Sequence, residues 1–161
     1  MHDLARESVA HLTAERFQAF VTPHNERTAD QQVVATYSDT LIDELEQSDV
    51  IVLGLPIYNF GLPSTLKAYF DHIARAGITF RYTENGPVGL LGDKAVRVMA
   101  TSGGDYQVTA KDTQTQCVRD FFKFLGIRDV NFVYAEGLNL STETKQAALT
   151  SADAQIATLA A

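Results

Sequence analysis

Hydrophobic positions along the chain follow two patterns, a helical spacing and unbroken apolar runs. Between Ala29 and about Gln47, apolar residues recur every three to four positions with acidic residues between them. This predicts a helix with one apolar face that includes Val33 and Tyr37. The run Val50–Pro56 is continuously apolar and rich in β-branched residues, which is typical of a parallel strand covered on both faces. The same criteria predict helices over residues 13–20, 65–76, 113–125 and 141–159, and strands over 78–82, 94–101 and 130–135.

Strands that alternate with helices predict a single α/β domain over residues 1–161, with an open parallel sheet and helices on both faces. The turn Glu84-Asn85-Gly86 adds a small hairpin. Ligands of such sheets bind beyond the carboxyl ends of the strands. Three segments that follow strands are therefore candidates for a site: 56–61, 101–106 and 136–140.

Composition excludes several classes of function. The chain has 13 Lys and Arg against 20 Asp and Glu, a net charge of −7, and no basic run, so no nucleic acid partner is expected. No apolar stretch approaches the roughly 20 residues of a membrane helix, and the N-terminus lacks a signal core, which predicts a cytoplasmic protein without a membrane partner. The lone Cys117 excludes an internal disulfide and is expected to be an inert thiol in or beside the core. The 4 histidines are scattered without ligand spacing, so no metal site is predicted.

Two of the three segments carry residues suited to a planar ligand. The segment Pro56–Gly61 holds two aromatic residues and an amide, and Thr101-Ser102-Gly103-Gly104 ends in paired glycines. Paired glycines let a backbone approach a flat ring and aim N–H groups at its polar edge. An aromatic floor beside such an edge suits a planar heteroaromatic ring. An ordinary glycine turn and aromatic residues of the core would have the same sequence. Spacing alone therefore leaves open whether these segments form a ligand pocket or are ordinary turn and core residues.

The sequence also resembles a known family. The stretches PIYNFGLPSTLKAYFD at 56–71 and RAGITFRYTENGP at 75–87, with shorter matches at 124–127, 129–132 and 135–137, resemble the FMN-dependent NADH azoreductase and quinone reductase family, whose fold is flavodoxin-like. The likeness runs from about Asp3 to the C-terminus. It implies an oxidoreductase that takes hydride from NADH or NADPH and passes two electrons to a quinone or azo compound in a ping-pong cycle. It also implies a homodimer.

The resemblance assigns roles to individual residues. It implies that FMN is bound by two turns, whose residues here are Ile57, Tyr58, Asn59, Phe60, Thr101, Ser102, Gly103 and Gly104. Ser102 stands where the family typically has an arginine, which removes a cation from the second turn. Tyr82 and Phe124 match aromatic positions on the substrate side, partly across a dimer interface; plain packing would also account for them. No side chain is assigned as a catalytic acid or base.

The N-terminus departs from the family pattern. Its members begin with an apolar strand and a Ser-rich loop that binds the FMN phosphate at a helix N-terminus, and no such unit precedes Asp3. We therefore expect a chain that is N-terminally truncated relative to the family, with an open apolar edge on its first strand. Either the sequence starts at an internal methionine of a longer protein, or the chain is naturally short and its flavin site is half built.

Two other functions fit these observations. A non-catalytic flavodoxin-like remnant would use its exposed strand edge to pair with itself or with a partner, without flavin. A small-molecule binding module would use the same pocket without redox chemistry.

Overall fold

The structure, a computed structural model, describes residues 1–159 of the chain. Ala160 and Ala161, which the predicted domain includes, lie outside the described residues. The chain divides into two compact units. The first unit comprises residues 1–49, 64–93 and 124–126, and the second comprises residues 50–63, 94–123 and the chain from 127 onward.

The elements follow the predicted order. The helices are α1 (Ala14–Val21), α2 (Ala29–Glu46), α3 (Ser64–Ile73), α4 (Gln114–Phe124) and α5 (Thr142–Leu159), with one 3₁₀ turn at His24–Glu26. The strands are β1 (Val50–Pro56), β2 (Phe80–Thr83), β3 (Gly86–Gly89), β4 (Ala95–Thr101) and β5 (Asp129–Ala135). Within residues 1–159, no helix combines the length and the apolar character that a bilayer crossing requires.

The second unit is built on a parallel sheet of strand order β1-β4-β5. Pairing runs in step along the strands, so that Pro56 lies opposite Thr101 and Thr101 lies opposite Ala135. The three strands therefore end level with one another. Helix α5 packs on β5, where Ala152 joins Val133 and Ala135 in a small buried cluster.

Strand β1 differs from its prediction on one face. Val50 and Val52 are 53% and 68% exposed, whereas Leu55 is 1% exposed. In the described part of the chain β1 pairs only with β4, so it is an edge strand, as expected for its open apolar edge. The prediction that both faces are covered was wrong, because an apolar run reports strand propensity and does not report what packs against it.

The first unit is mainly helical, with α2 packed against both α1 and α3. The N-terminus of α2 carries a capping box between Thr28 and Gln31, which satisfies two backbone amides. The buried face of α2 consists of Ala35, Ser38, Leu41, Ile42 and Leu45. Val33 and Tyr37, predicted on this face, are 70% and 43% exposed. The correct face contains Ser38, a polar residue that hydrophobic periodicity does not select.

Ser38 is buried because it belongs to a polar cluster. Its hydroxyl donates to the carbonyl of His72 (2.6 Å) and accepts from the Arg75 guanidinium (2.7 Å), which also reaches Asp39 at 3.3 Å. The His72 Nδ1 lies 3.0 Å from the Ala68 carbonyl, and burial lowers the pKa of His72, so its ring is neutral at pH 7. The cluster ties α2 to the end of α3.

Helix α3 ends at Ile73, three residues before the predicted end. The Thr79 hydroxyl donates to the Ile73 carbonyl (2.6 Å) and accepts from the Arg75 amide (2.9 Å). These bonds replace the next helical turn, and Gly77, with φ +83°, carries the chain into β2. Gly77 is thus part of the loop and not the C′ residue of the helix.

The hairpin β2–β3 lies directly on the backbone of residues 124–126. A Cβ added to Gly89 would lie 2.0 Å from the amide nitrogen of Gly126, and the Leu91 amide donates to the Leu125 carbonyl (2.9 Å). This approach places Phe80 against both Tyr82 and Phe124, with ring centroids 5.4 and 4.4 Å apart.

We expect the substitution Gly89→Ala to lower the free energy of unfolding by at least about 2 kcal/mol, because the added methyl group overlaps backbone that cannot move aside. Gly92→Ala is the matched control, since no atom lies within 4 Å of its added Cβ. Urea denaturation followed by circular dichroism checks both variants. Equal stability of the two would contradict the close approach.

Candidate functional site

Three turns leave the carboxyl edge of the sheet in the second unit. We call them the first turn (56–61, after β1), the second turn (101–107, after β4) and the third turn (136–140, after β5). The Ile57 amide donates to the Thr101 carbonyl (3.0 Å), and the Ser102 amide donates to the Ala135 carbonyl (3.1 Å). The level strand ends and these bonds bring all three turns together at one edge, where an open parallel sheet binds its ligand.

The first turn is tight and strained. Tyr58 and Gly61 exchange two backbone hydrogen bonds of 3.0 Å, and the residues between them, Asn59 and Phe60, have φ angles of 48° and 64°. Positive φ at both positions is the mark of a type I′ turn, in which asparagine followed by glycine is preferred. Phenylalanine at the second position costs on the order of 1–3 kcal/mol, and strain of this kind is concentrated at functional sites. The Thr113 hydroxyl, which donates to the Phe60 carbonyl, helps to hold the conformation.

Strain in the first turn places aromatic side chains at the surface. Tyr58 is 61% exposed and Phe60 is 59% exposed. The Phe60 ring meets the Tyr106 ring edge-on, with centroids 6.0 Å apart. This pair joins the first turn to the second and forms an aromatic wall at the edge of the sheet.

Both glycines of the second turn lie close to neighbouring side chains. A Cβ on Gly103 would lie 2.6 Å from the Asn139 side-chain nitrogen, and a Cβ on Gly104 would lie 3.3 Å from the Tyr106 ring. Ser102 is 7% exposed, and its hydroxyl donates to the Gly104 carbonyl at 2.7 Å. The Ser102 side chain therefore stabilises the turn from within.

Five backbone N–H groups on the two turns have no acceptor among residues 1–159; they belong to Asn59, Phe60, Gly103, Gly104 and Asp105. The Asn59 side-chain amide likewise has no hydrogen-bond partner in that range. By contrast, the amides of Ile57, Tyr58 and Ser102 donate within the fold. Donors without protein acceptors beside an aromatic wall fit a planar ring with carbonyl and nitrogen acceptors along one edge.

The structure brings the eight predicted cofactor residues onto two neighbouring turns of one unit. The two predicted substrate residues lie in the first unit, where Tyr82 is 74% exposed and Phe124 is half-buried. Cys117, predicted in or beside the core, is on the exposed face of α4. Within the described residues no group of three or more His, Cys, Asp or Glu is placed to hold a metal ion.

Sequence reasoning selected the third turn as a segment but named no residue in it. Glu136, the first residue after β5, accepts hydrogen bonds from the backbone amides of Tyr106 and Gln107, each at 2.9 Å. Tyr106 itself forms part of the aromatic wall. The position of Glu136 immediately after a buried strand was the only signal in the sequence that could have pointed to it.

Comparisons with known proteins identify the family and the fold. A family model described as flavodoxin-like fold matches residues 1–160. An FMN-dependent NADH:quinone oxidoreductase from Cellvibrio japonicus is 58% identical over 87% of this chain and 70% of its own length. One from Alcanivorax borkumensis is 51% identical over 97% of this chain and 79% of its own length. The chain belongs to this flavodoxin-like family. The resemblance noted from the motifs and the predicted fold are both confirmed.

Solved structures of the family have the same fold. An azoreductase from Bacillus anthracis superposes with a TM-score of 0.90 at 26% identity, covering 99% of this chain and 79% of that one. An FMN-dependent NADH-azoreductase from the same species, solved in complex with FMN, has a TM-score of 0.86 at 30% identity and covers 99% and 80%. A family member thus holds FMN on the fold described above.

Proposed function

We propose that the chain is an FMN-dependent NAD(P)H oxidoreductase that reduces quinones and azo compounds in a ping-pong cycle of two-electron hydride transfer. The observation that carries the proposal is that the N–H groups of Asn59, Phe60, Gly103 and Gly104 have no acceptor among the described residues, on two turns joined by the Ile57–Thr101 hydrogen bond. The names of relatives that are 46–58% identical support the cofactor, the NADH donor and the quinone acceptor. The proposal that azo compounds are acceptors rests on the azoreductases of the same fold.

Bound FMN supplies the hydride chemistry, since its ring accepts a hydride from a nicotinamide and passes two electrons to an acceptor. The protein holds and orients that ring. Phe60 and Tyr106 would form an apolar wall beside the ring, and the Asn59 and Phe60 amides would donate to its polar edge. The Gly103 and Gly104 amides are preorganised donors for negative charge that develops on the ring, which is an electrostatic role of the kind played by an oxyanion hole.

The substrate side is assigned to Tyr82 and Phe124, both in contact with Phe80. An exposed tyrosine ring on a short hairpin suits stacking against a flat quinone or azo compound. We further propose that the protein acts as a homodimer in the cytoplasm, with these aromatics contributing partly across the interface.

A second candidate function is favoured by one observation. Val50 and Val52 leave an apolar face of the edge strand β1 exposed, which suits an interaction module that binds no flavin. The remnant hypothesis therefore competes with the enzyme, and a cofactor-loading experiment separates them.

The purified chain, incubated with FMN and desalted, is expected to retain a flavin absorption spectrum and, without oxygen, to oxidise NADH beyond the amount of bound flavin only when a quinone is added. Double-reciprocal plots at several quinone concentrations are expected to be parallel, which is the signature of a ping-pong cycle. A colourless protein that oxidises no NADH contradicts the enzyme and favours the remnant. Intersecting lines contradict the ping-pong order alone.

The substitution Asn59→Asp is expected to raise the dissociation constant for FMN at least about tenfold, with little change in melting temperature. Aspartate has the same shape and tolerates positive φ, so the turn is kept, but its carboxylate cannot donate a hydrogen bond. Fluorescence titration of FMN checks this. Asn85→Asp, in the β2–β3 turn, is the matched control and is expected to bind FMN as the unaltered chain does. An Asn59→Asp variant with unchanged affinity contradicts the assignment of the first turn.

A further inference from the structure

Three successive backbone carbonyls of the second turn accept hydrogen bonds from the third turn. The amides of Gly137, Leu138 and Asn139 donate to the carbonyls of Gly104, Ser102 and Gly103 at 3.2, 3.1 and 3.0 Å. Three successive carbonyl groups of the second turn thus face the third turn. A short ladder of this kind is rigid because each bond fixes one peptide plane.

This ladder determines where the donors of the second turn point. Peptide bonds in the described residues are trans, and a trans peptide directs the carbonyl of one residue and the N–H of the next in opposite directions. Because the Ser102 and Gly103 carbonyls face the third turn, the N–H groups of Gly103 and Gly104 face away from it. The third turn therefore sets the orientation of the two amides proposed to contact FMN.

The side chain of Glu136 adds further hydrogen bonds between the two turns. The Glu136 carboxylate accepts from the amides of Tyr106 and Gln107, both at 2.9 Å to Oε1, and the Gln107 amide lies 3.2 Å from Oε2. The Ser102 hydroxyl is 3.3 Å from Oε1, but its single hydrogen serves the Gly104 carbonyl at 2.7 Å. The carboxylate draws the residues after the glycines back toward β5, and hydrogen bonds to an ionised acceptor are among the stronger ones.

We propose that Glu136 is a positioning residue of the flavin site: it holds the second turn against the third, so that the Gly103 and Gly104 amides point at the ring before FMN arrives. The inference rests on the proposed function, since FMN is the ligand whose binding reports the orientation. Glu136 acts through the backbone and makes no contact with the ring. Preorganisation of this kind raises affinity by removing an ordering cost from the binding step.

The test compares Glu136→Ala and Glu136→Gln with the unaltered chain. The Gln oxygen can take the place of Oε1 and accept from both amides, whereas Ala removes the acceptor. We expect Glu136→Ala to raise the FMN dissociation constant at least about tenfold and Glu136→Gln to stay within about threefold of the unaltered chain. Hydrogen exchange of the ligand-free protein is expected to show faster exchange at the Tyr106 and Gln107 amides in Glu136→Ala only.

Ser141→Ala is the control for a loss of stability elsewhere in the same unit. Ser141 caps α5 by accepting from the Thr144 amide at 3.0 Å, so its removal is expected to lower the melting temperature and leave FMN affinity unchanged. Equal FMN affinity of Glu136→Ala and the unaltered chain overturns the positioning role. So does a Glu136→Gln variant that fails to recover the affinity. If the unaltered chain itself binds no FMN, the proposed function fails, and the inference fails with it.

Discussion

The candidate site depends on how the sheet distributes its backbone polar groups. Pairing in step between β1, β4 and β5 ends the three strands level, and each strand then gives one turn to the same edge. At that edge the carbonyls of residues 102–104 are bonded to the third turn, and the N–H groups of Gly103 and Gly104 are left for a ligand. A protein that satisfies its acceptors internally while leaving donors open is prepared for a ring with acceptor atoms along its edge, and the opposite arrangement would repel one.

The two turns achieve this in different ways. In the second turn the glycines leave room for the side chains of Asn139 and Tyr106, and hydrogen bonds to the third turn fix its conformation. In the first turn two residues without glycine's freedom, Asn59 and Phe60, adopt positive φ. A glycine in place of Phe60 would relieve the strain but would lose the ring that meets Tyr106. The sequence thus retains a conformational cost where the side chain is needed, which is the usual pattern at a binding site.

Local patterns in the sequence predicted the elements well, because β4, β5 and the helices are defined by neighbours a few residues apart. The predictions that failed concern features that depend on residues far away in the sequence. Exposure of Val50 and Val52 is set by what packs beside the sheet, and the buried face of α2 is set by the hydrogen bonds of Ser38 to residues more than 30 positions away. The two flavin turns were found from motifs. The role of Glu136 depends on hydrogen bonds from backbone amides 29 and 30 positions away, and no sequence motif predicts these bonds.

The most direct test of the account follows the backbone amides of the isotope-labelled chain by NMR while FMN is added. The account predicts the largest shift changes at Asn59, Phe60, Gly103 and Gly104, with the amides of Tyr58 and Ser102 keeping their protection from exchange because they stay bonded within the fold. Shift changes concentrated elsewhere on the chain, with those four amides unaffected, would contradict it.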